Sequence, residues 1–225
     1  MDAQDRQLVE GLLGAYRLGA FPMNDPRTGR IDFFDPDPRA ILPLAREGEE
    51  RFVVPRRLAR AMRGTDFEFT TDEAFGGVIR ACARPRRETD RSVAVSAETW
   101  IDDRIVRAYE VLHRAGHAHS VEAWLPSESG GGERVLVGGI YGVHLGGLFA
   151  GESMFHDAAR GGTDAGKMCL VMLARHLRRC GFVLFDVQFR NPLLDRFGCV
   201  EISRAEYQRR LRAALEVQTR WPALA

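Results

Sequence analysis

Three polar side chains that interrupt apolar segments are the residues whose types and spacing could perform chemistry. Glu152 is the only carboxylate in the glycine-rich segment 137–155, VGGIYGVHLGGLFAGESMF, and Asp186 and Gln188 lie two positions apart in a second apolar segment. Residues two apart on a strand point to the same face, and a carboxylate beside an amide can orient an amine. The trio therefore predicts a mostly apolar pocket with a few convergent polar groups. The alternative is three separate side chains at strand ends.

The elements that must position these residues are short strands and helices. Residues 135–143 and 148–155 are rich in branched and aromatic side chains, and the glycines at 144–147 predict that these strands form a hairpin. Residues 182–188 predict the strand that carries Asp186 and Gln188. Other strands are predicted over 67–70, 119–125 and 199–202, short strands and turns over 20–39, and helices over 6–18, 55–62, 71–82, 100–112, 167–177, 191–197 and 204–215.

This order of elements bears on fold class and domain organisation. Adjacent strand pairs mixed with helices predict an α+β, or mixed α/β, fold rather than a regular parallel βαβ array. The polar stretch 46–51 is a candidate linker. We therefore expect a small amino-terminal α/β domain over residues 1–54 and a larger domain over residues 55–225.

The composition is that of an ordinary globular protein. With a formal net charge of +1 over 225 residues, the chain has no general positive coat, so a polyanionic partner would have to meet a local patch. The four cysteines are scattered without a Cys-x-x-Cys pair, which disfavours a zinc ribbon or a disulfide framework. No segment has the pattern of a membrane span or a secretory signal. We expect a cytoplasmic protein with no membrane partner.

The segment 161–167 has the pattern Gly-x-x-x-x-Gly-Lys, but Met168 follows where a P-loop needs Ser or Thr to hold magnesium. A nucleotide triphosphatase is therefore disfavoured. A glycine-rich turn that opens a helix still offers N–H groups and a dipole to a phosphate, close to Lys167, the only lysine of the chain. A flexible loop capped by Asp164 explains the pattern equally well.

Four neighbouring residues, His113, His117, His119 and Glu122, are of the types that bind metals. Gly116 is expected to end a helix between them, so their side chains would not share a regular face. We predict structural histidines here and no metal site.

Five sequence blocks follow one another along nearly the whole chain. They are YRLGAFPM at 16–23, FFDPDPR at 33–39, GHAHSVE at 116–122, GGIYGVHLGGLFAGESMF at 138–155 and Asp-x-Gln at 186–188. The fourth block is the most specific, whereas Asp-x-Gln alone would mean nothing. In this order the blocks resemble those of the bacterial leucyl/phenylalanyl-tRNA–protein transferase family.

The resemblance implies a GNAT-like acyltransferase domain that follows a small amino-terminal domain. It implies an enzyme that moves Leu or Phe, with Met as a further candidate, from aminoacyl-tRNA to the N-terminal Arg or Lys of a protein. The product is then tagged for degradation by the N-end rule pathway. No cofactor is implied, and we expect a monomer. Because the donor is an activated ester, the enzyme mainly has to position an amine and relieve it of a proton.

The resemblance also implies roles for particular residues. Asp186 and Gln188 are the implied reaction centre, and Glu152 helps to shape the substrate site. We hypothesise that Asp186 polarises Gln188, whose carbonyl oxygen orients the attacking amine, while Glu152 attracts the acceptor's cationic group. The implied substrate-binding residues are Ile140 and Phe149 in the side-chain pocket, Trp100 near the terminal adenosine, Phe33, Phe34, Ser153 and Asn191. Lys167 is the implied contact to phosphate or tRNA.

Three segments depart from the family's pattern. Phe33-Phe34-Asp35-Pro36 stands where the family has Trp-Trp/Phe-Ser-Pro, Asp164-Ala165-Gly166-Lys167 stands where it has Asn-Ala-Ser-Lys, and Leu193 stands where it has His. These departures leave the reaction class in place and leave the substrate preference open. Two alternatives to the aminoacyltransferase remain. One is an acyl-CoA-dependent N-acyltransferase, in which the glycine-rich turn holds a pyrophosphate, and the other is a non-catalytic module that binds tRNA or peptide.

Overall fold

The computed structural model describes residues 1–25, 27–45, 51–84, 99–127 and 133–224, so most of the candidate linker 46–51 lies outside them. The helices are α1 (Ala3–Arg17), α2 (Arg56–Arg63), α3 (Phe75–Cys82), α4 (Asp103–Arg114), α5 (Ala165–Arg179), α6 (Pro192–Asp195) and α7 (Arg204–Leu215). The strands are β1 (Phe21–Asp25), β2 (Arg30–Phe34), β3 (Arg39–Ile41), β4 (Glu68–Thr71), β5 (Ala118–Pro126), β6 (Arg134–Leu145), β7 (Leu148–His156), β8 (Leu184–Gln188) and β9 (Val200–Ile202).

Seven of these strands form one mixed sheet, in the order β4, β5, β6, β7, β8, β3, β9. Neighbouring strands are antiparallel except β7 and β8, which are parallel and are connected through α5. β1 and β2 form a separate antiparallel hairpin. Antiparallel hairpins, one parallel pair and interspersed helices confirm the predicted α+β class.

Helices cover both faces of the seven-stranded sheet, and each face has its own apolar core. On one face, α1, α3, α4 and α7 supply buried residues such as Leu12, Ile79 and Leu211. On the other face, α5 supplies buried residues such as Leu170 and Leu173. Because strands covered on both faces need apolar residues throughout, the central strands have continuous apolar runs instead of strict alternation. No helix in the described part of the chain is long and apolar enough to cross a lipid bilayer.

Two helices begin later than the sequence predicts. β4 continues through Thr71, and Asp72 has a positive φ of 62°, so α3 begins only at Phe75. Asp102 caps α4, because its carboxylate accepts hydrogen bonds from two N–H groups of the first turn. That helix therefore begins after Trp100 and not at it.

The segment predicted as an amino-terminal domain shares its sheet and its core with the rest of the chain. β3 lies between β8 and β9 in the seven-stranded sheet. α1 contributes to the same apolar core as α4 and α7. The boundary between residues 54 and 55 stays a prediction, and it would separate β3 from both strands with which it pairs.

Gly142 allows β6 and β7 to approach closely. A Cβ at this position would overlap the carbonyl oxygen of Ala150 and the ring of Phe149. We expect Gly142→Ala to lower the free energy of unfolding by about 2 kcal/mol, as overpacked cores do. The control is Gly11→Ala in α1, where a Cβ meets nothing within 4 Å and the higher helix propensity of Ala should stabilise the fold. Thermal denaturation checks both, and equal melting temperatures would contradict the expectation.

Candidate active site

The parallel ladder between β7 and β8 ends before either strand does. Its last pair joins Ala150 to Asp186, and beyond it the two strands no longer pair with each other. Glu152 and Gln188 each lie two positions past this pair, on the strands that flank the end of the ladder. Glu152 is also the extra residue of a β-bulge, because β6 pairs with the residues on either side of it. Bulges of this kind re-aim a side chain and are frequent beside active sites.

Two tyrosine hydroxyl groups hold the carboxylate of Glu152. Tyr16 of α1 donates to Oε1 at 2.7 Å, Tyr109 of α4 donates to Oε2 at 3.2 Å, and the two hydroxyl oxygens are 2.6 Å apart. Burial raises the pKa of Glu152 to about 7, an effect that the tyrosine hydrogen bonds oppose and the nearby Asp186 carboxylate reinforces. A carboxyl group that titrates near neutral pH can hold an ammonium group or accept a proton.

Asp186 is fully buried, and other groups of the protein donate hydrogen bonds to both oxygens of its carboxylate. Arg39 of β3 donates two parallel hydrogen bonds, from Nε to Oδ1 at 2.9 Å and from Nη2 to Oδ2 at 2.6 Å. The hydroxyl of Tyr207 in α7 donates to Oδ2 at 2.9 Å, and the backbone N–H of Gln188 donates to Oδ1 at 3.0 Å. Asp186 therefore contacts Gln188 through the backbone, whereas our sequence hypothesis placed the interaction at the Gln188 side chain.

Gln188 has an unusual backbone conformation. Its φ of 57° lies in the left-handed region, which is uncommon for residues other than glycine. The residue is 6% exposed, and its side-chain nitrogen Nε2 has no hydrogen-bond partner among the described residues. Strained backbone and unsatisfied buried polar groups both concentrate at functional sites. Gln188 is therefore a group that a bound substrate could satisfy.

Exposed aromatic rings lie beside this centre. Phe189 follows Gln188 directly, and its ring packs edge-on against Phe21 with 5.8 Å between the ring centroids. Phe34 also contacts Phe21, with centroids 6.3 Å apart. Phe33, Phe34 and Phe189 are all exposed, at 54%, 40% and 48%. The first two were predicted to bind substrate, and Phe189 is an addition that the structure makes.

The two residues predicted to line the side-chain pocket belong to the other core. Ile140 and Phe149 are buried under α5, whereas the tyrosines that hold Glu152 belong to the core of the opposite face. Ser153 is half-buried and follows Glu152 on β7. Trp100 is half-buried, and its carbonyl accepts a hydrogen bond from the backbone of the β1–β2 hairpin. These predicted residues therefore do not form a single cluster around Gln188.

Lys167 and Asn191 both have partners within the protein. The ammonium of Lys167 lies 2.5 Å from Oδ1 of Asp164, and the side chain of Asn191 accepts two backbone N–H groups at the start of α6. Gly166, one of the positions that depart from the expected family pattern, lies against β7. A Cβ on it would come within 2.6 Å of the carbonyl oxygen of Phe155, so this chain requires glycine there.

The described residues bring Asp72, His113 and His119 within reach of a common metal ion. Each of them already has a partner, since Nδ1 of His119 lies 2.6 Å from Oδ2 of Asp72 and Nδ1 of His113 lies 2.8 Å from the carbonyl oxygen of Ala118. Glu122 faces two neighbouring hydroxyl groups instead. The protein satisfies these groups itself, so we assign them a structural role.

Sequence reasoning gave no role to four residues that contact the centre, namely Arg39, Tyr16, Tyr109 and Tyr207. Tyr16 and Tyr109 lie on apolar helix faces, which is the pattern of ordinary core packing. A buried tyrosine nevertheless needs a partner for its hydroxyl group, and this is the signal that could have identified them. Arg39 was visible only as the last residue of the block FFDPDPR.

Comparison with known proteins identifies the family. The family model described as leucyl/phenylalanyl-tRNA protein transferase matches residues 48–212. The leucyl/phenylalanyl-tRNA–protein transferase of Akkermansia muciniphila is 45% identical over 214 residues, which are 95% of this chain and 99% of the relative. The transferase of Rubrobacter xylanophilus is 46% identical over 94% of this chain and 97% of its own. The chain therefore belongs to the leucyl/phenylalanyl-tRNA–protein transferase family of aminoacyltransferases.

Proposed function

We propose that this transferase moves Leu or Phe from aminoacyl-tRNA to the N-terminal Arg or Lys of acceptor proteins and so tags them for N-end rule degradation. One observation carries the proposal. Glu152, whose pKa is raised to about 7, and Gln188, whose buried side-chain nitrogen has no partner among the described residues, flank the end of the β7–β8 ladder. Aminolysis of an ester needs such groups, because a carboxylate can hold the amine, and an amide can accept from the amine through Oε1 and donate to the ester's carbonyl oxygen through Nε2.

The chemistry requires positioning more than activation. The amine nitrogen attacks the ester carbonyl carbon, a C–N bond forms, and the bond to the 3′ oxygen of the tRNA breaks. The amine's proton leaves through water or to that 3′ oxygen. In this scheme Gln188 Oε1 accepts one N–H of the amine and aims its lone pair, while ionised Glu152 holds the acceptor's cationic group. Neither a nucleophilic Ser or Cys nor a cofactor is needed.

The donor's side chain is proposed to reach Ile140 and Phe149 by passing between β7 and β8 where their ladder has ended. Gly151 lies at this point, and a Cβ there would contact the Phe185 ring at 3.0 Å. A side chain at position 151 would therefore crowd the proposed route. This route would join the reaction centre on one face of the sheet to the apolar core on the other.

The tRNA end is proposed to bind near Trp100 and the exposed rings of Phe33 and Phe34, since a terminal base can stack on accessible aromatic rings. Lys167 would exchange its contact with Asp164 for a phosphate. Substrate contacts by Ser153 and Asn191 are part of the same proposal.

Four broader features complete the proposal: a GNAT-like class for residues 55–225, a small domain over residues 1–54, a monomer and a cytoplasmic location. The mixed sheet with helices on both faces supports the fold class. The name of the relatives states that charged tRNA is the donor, and this supports the cytoplasmic location.

The test is incubation with charged Leu-, Phe- and Met-tRNA and peptides that differ only in their first residue. We expect Leu and Phe on peptides that begin with Arg or Lys, and none on peptides that begin with Ala. Gln188→Ala should lower kcat about 100-fold, because the amine then loses its orienting partner.

Other outcomes would contradict the proposal in distinct ways. Acetyl transfer from labelled acetyl-CoA without tRNA would favour the N-acyltransferase alternative. Binding of charged tRNA without any peptide labelling would favour the non-catalytic module. Transfer by the parent protein with near-normal turnover of Gln188→Ala would keep the activity but remove Gln188 from the site.

A further inference from the structure

We propose that Arg39 and Tyr207 are positioning residues of the transfer reaction, which lock Asp186 so that it holds the Gln188 backbone in its left-handed conformation and thereby aims the Gln188 amide. This inference rests on the proposed function. It concerns how the site is held together, and it adds two residues to those that the sequence suggested.

The guanidinium of Arg39 has contacts on every side. Besides its two hydrogen bonds to Asp186, it donates from Nη1 to the carbonyl oxygen of Gly19 at 2.8 Å and from Nη2 to the hydroxyl of Tyr207 at 3.3 Å. It also lies over two aromatic rings, 4.3 Å from the centroid of Tyr207 and 5.0 Å from that of Phe21. Its side chain is 1% exposed. A planar fork held in this way fixes both the position and the tilt of the carboxylate.

The four hydrogen bonds that Asp186 accepts leave it little capacity for a substrate. Asp186 therefore affects the reaction through the hydrogen bond that it accepts from the backbone N–H of Gln188, the residue with the positive φ. A left-handed backbone is strained at a residue other than glycine and persists only where the surroundings enforce it. A rigid carboxylate that accepts the strained residue's own N–H is such a constraint.

Stability alone is a weak reason for a buried ion pair at this place. Removing two charges from water is costly, and buried pairs can often be replaced by apolar residues without loss of stability. The hydrogen-bond network of Arg39, Asp186 and Tyr207 joins β3, β8 and α7 and ends on the backbone N–H of Gln188. It can therefore fix the position of Gln188 precisely. Precision matters here because a displacement of about 1 Å can reduce the rate of a positioned reaction about 100-fold.

Two variants test the inference on the full-length protein. Arg39→Lys keeps the charge but loses the fork, and Tyr207→Phe keeps the ring over Arg39 but removes one donor to Asp186. We expect kcat to fall about 10- to 100-fold in Arg39→Lys and by less in Tyr207→Phe, with the acceptor KM unchanged within about threefold. The matched controls are Arg134→Lys at an exposed ion pair and Tyr141→Phe, whose buried hydroxyl has no partner among the described residues.

A spectroscopic readout separates positioning from a purely structural role. The chain has only five glutamines, so selective ¹⁵N-glutamine labelling resolves the backbone N–H of Gln188. The loss of this signal in Gln188→Ala identifies it. We expect the resonance of this backbone N–H to shift upfield, and its hydrogen to exchange faster with solvent, in Arg39→Lys and Tyr207→Phe. Both should stay unchanged in the two controls.

The outcomes distinguish this inference from the proposed function. Lack of transfer by the parent protein would overturn the proposed function itself. If the parent is active, folded variants that keep the parent kcat would overturn the positioning roles. An unchanged backbone N–H resonance of Gln188 in either variant would overturn them as well. A melting temperature that falls while kcat per folded molecule stays constant would show that the network is structural only.

Discussion

Asp186→Asn is expected to lower the free energy of unfolding by about 3 to 5 kcal/mol, the range for a buried charge that loses its partner. Burial works against the charge on Arg39, but the attraction of Asp186 outweighs it and raises the pKa of the arginine. Asparagine can still accept the Gln188 N–H, yet it removes the counter-charge at 2.6 Å from a guanidinium with 1% exposure and leaves only the part-exposed Asp35, whose Oδ1 lies 3.5 Å from Nη1. Urea denaturation at neutral pH measures the loss.

Two comparisons show whether this loss of stability comes from the broken ion pair between Arg39 and Asp186. Arg39→Met combined with Asp186→Asn removes both charges, and we expect it to recover most of the stability but not the transfer activity. Glu206→Gln breaks exposed pairs with Arg209 and Arg210, and it should cost much less because solvent screens exposed pairs. If Asp186→Asn costs no more than Glu206→Gln, the buried pair does not have the energetic importance that its geometry indicates.

Local patterns in the sequence predict most of the secondary structure. The hairpin of β6 and β7 follows from its branched and aromatic residues and the glycines at 146 and 147. The trio of Glu152, Asp186 and Gln188 was also predicted to converge. Two positions on one strand share a face, and the third comes from a neighbouring apolar segment, so this prediction needs no long-range information.

The partners that hold the trio are long-range contacts, which local patterns do not encode. Arg39 and Asp186 are 147 residues apart in the chain, and Tyr16 and Glu152 are 136 apart. The face on which Ile140 lies is also hard to predict. Strands buried on both faces lack the alternation that identifies a face, and the bulge at Glu152 shifts the register.

Glu152→Gln is expected to stabilise the protein above neutral pH. The carboxyl has an ordinary pKa of 4.5, and burial raises it to about 7 in the folded state. Between these values the folded state binds one more proton than the unfolded chain, so stability falls as the pH rises. The full effect is at most about 3 kcal/mol, and glutamine removes it. The melting temperatures of Glu152→Gln and the parent should agree near pH 4.5 and diverge up to pH 8.

The same substitution should impair acceptor binding, because ionised Glu152 is the group proposed to hold the acceptor's cation. We expect the KM for an Arg-starting peptide to rise about 10- to 100-fold at pH 8, the worth of one charge-assisted hydrogen bond. In the parent that KM should fall as the pH rises through 7, and in Glu152→Gln the dependence should disappear.

Glu122→Gln is the matched control, since burial also raises the pKa of Glu122, yet Glu122 lies away from Gln188. It should alter the pH dependence of stability and leave the acceptor KM unchanged. A variant of Glu152 that gains stability but keeps the parent KM would separate this carboxylate from acceptor recognition.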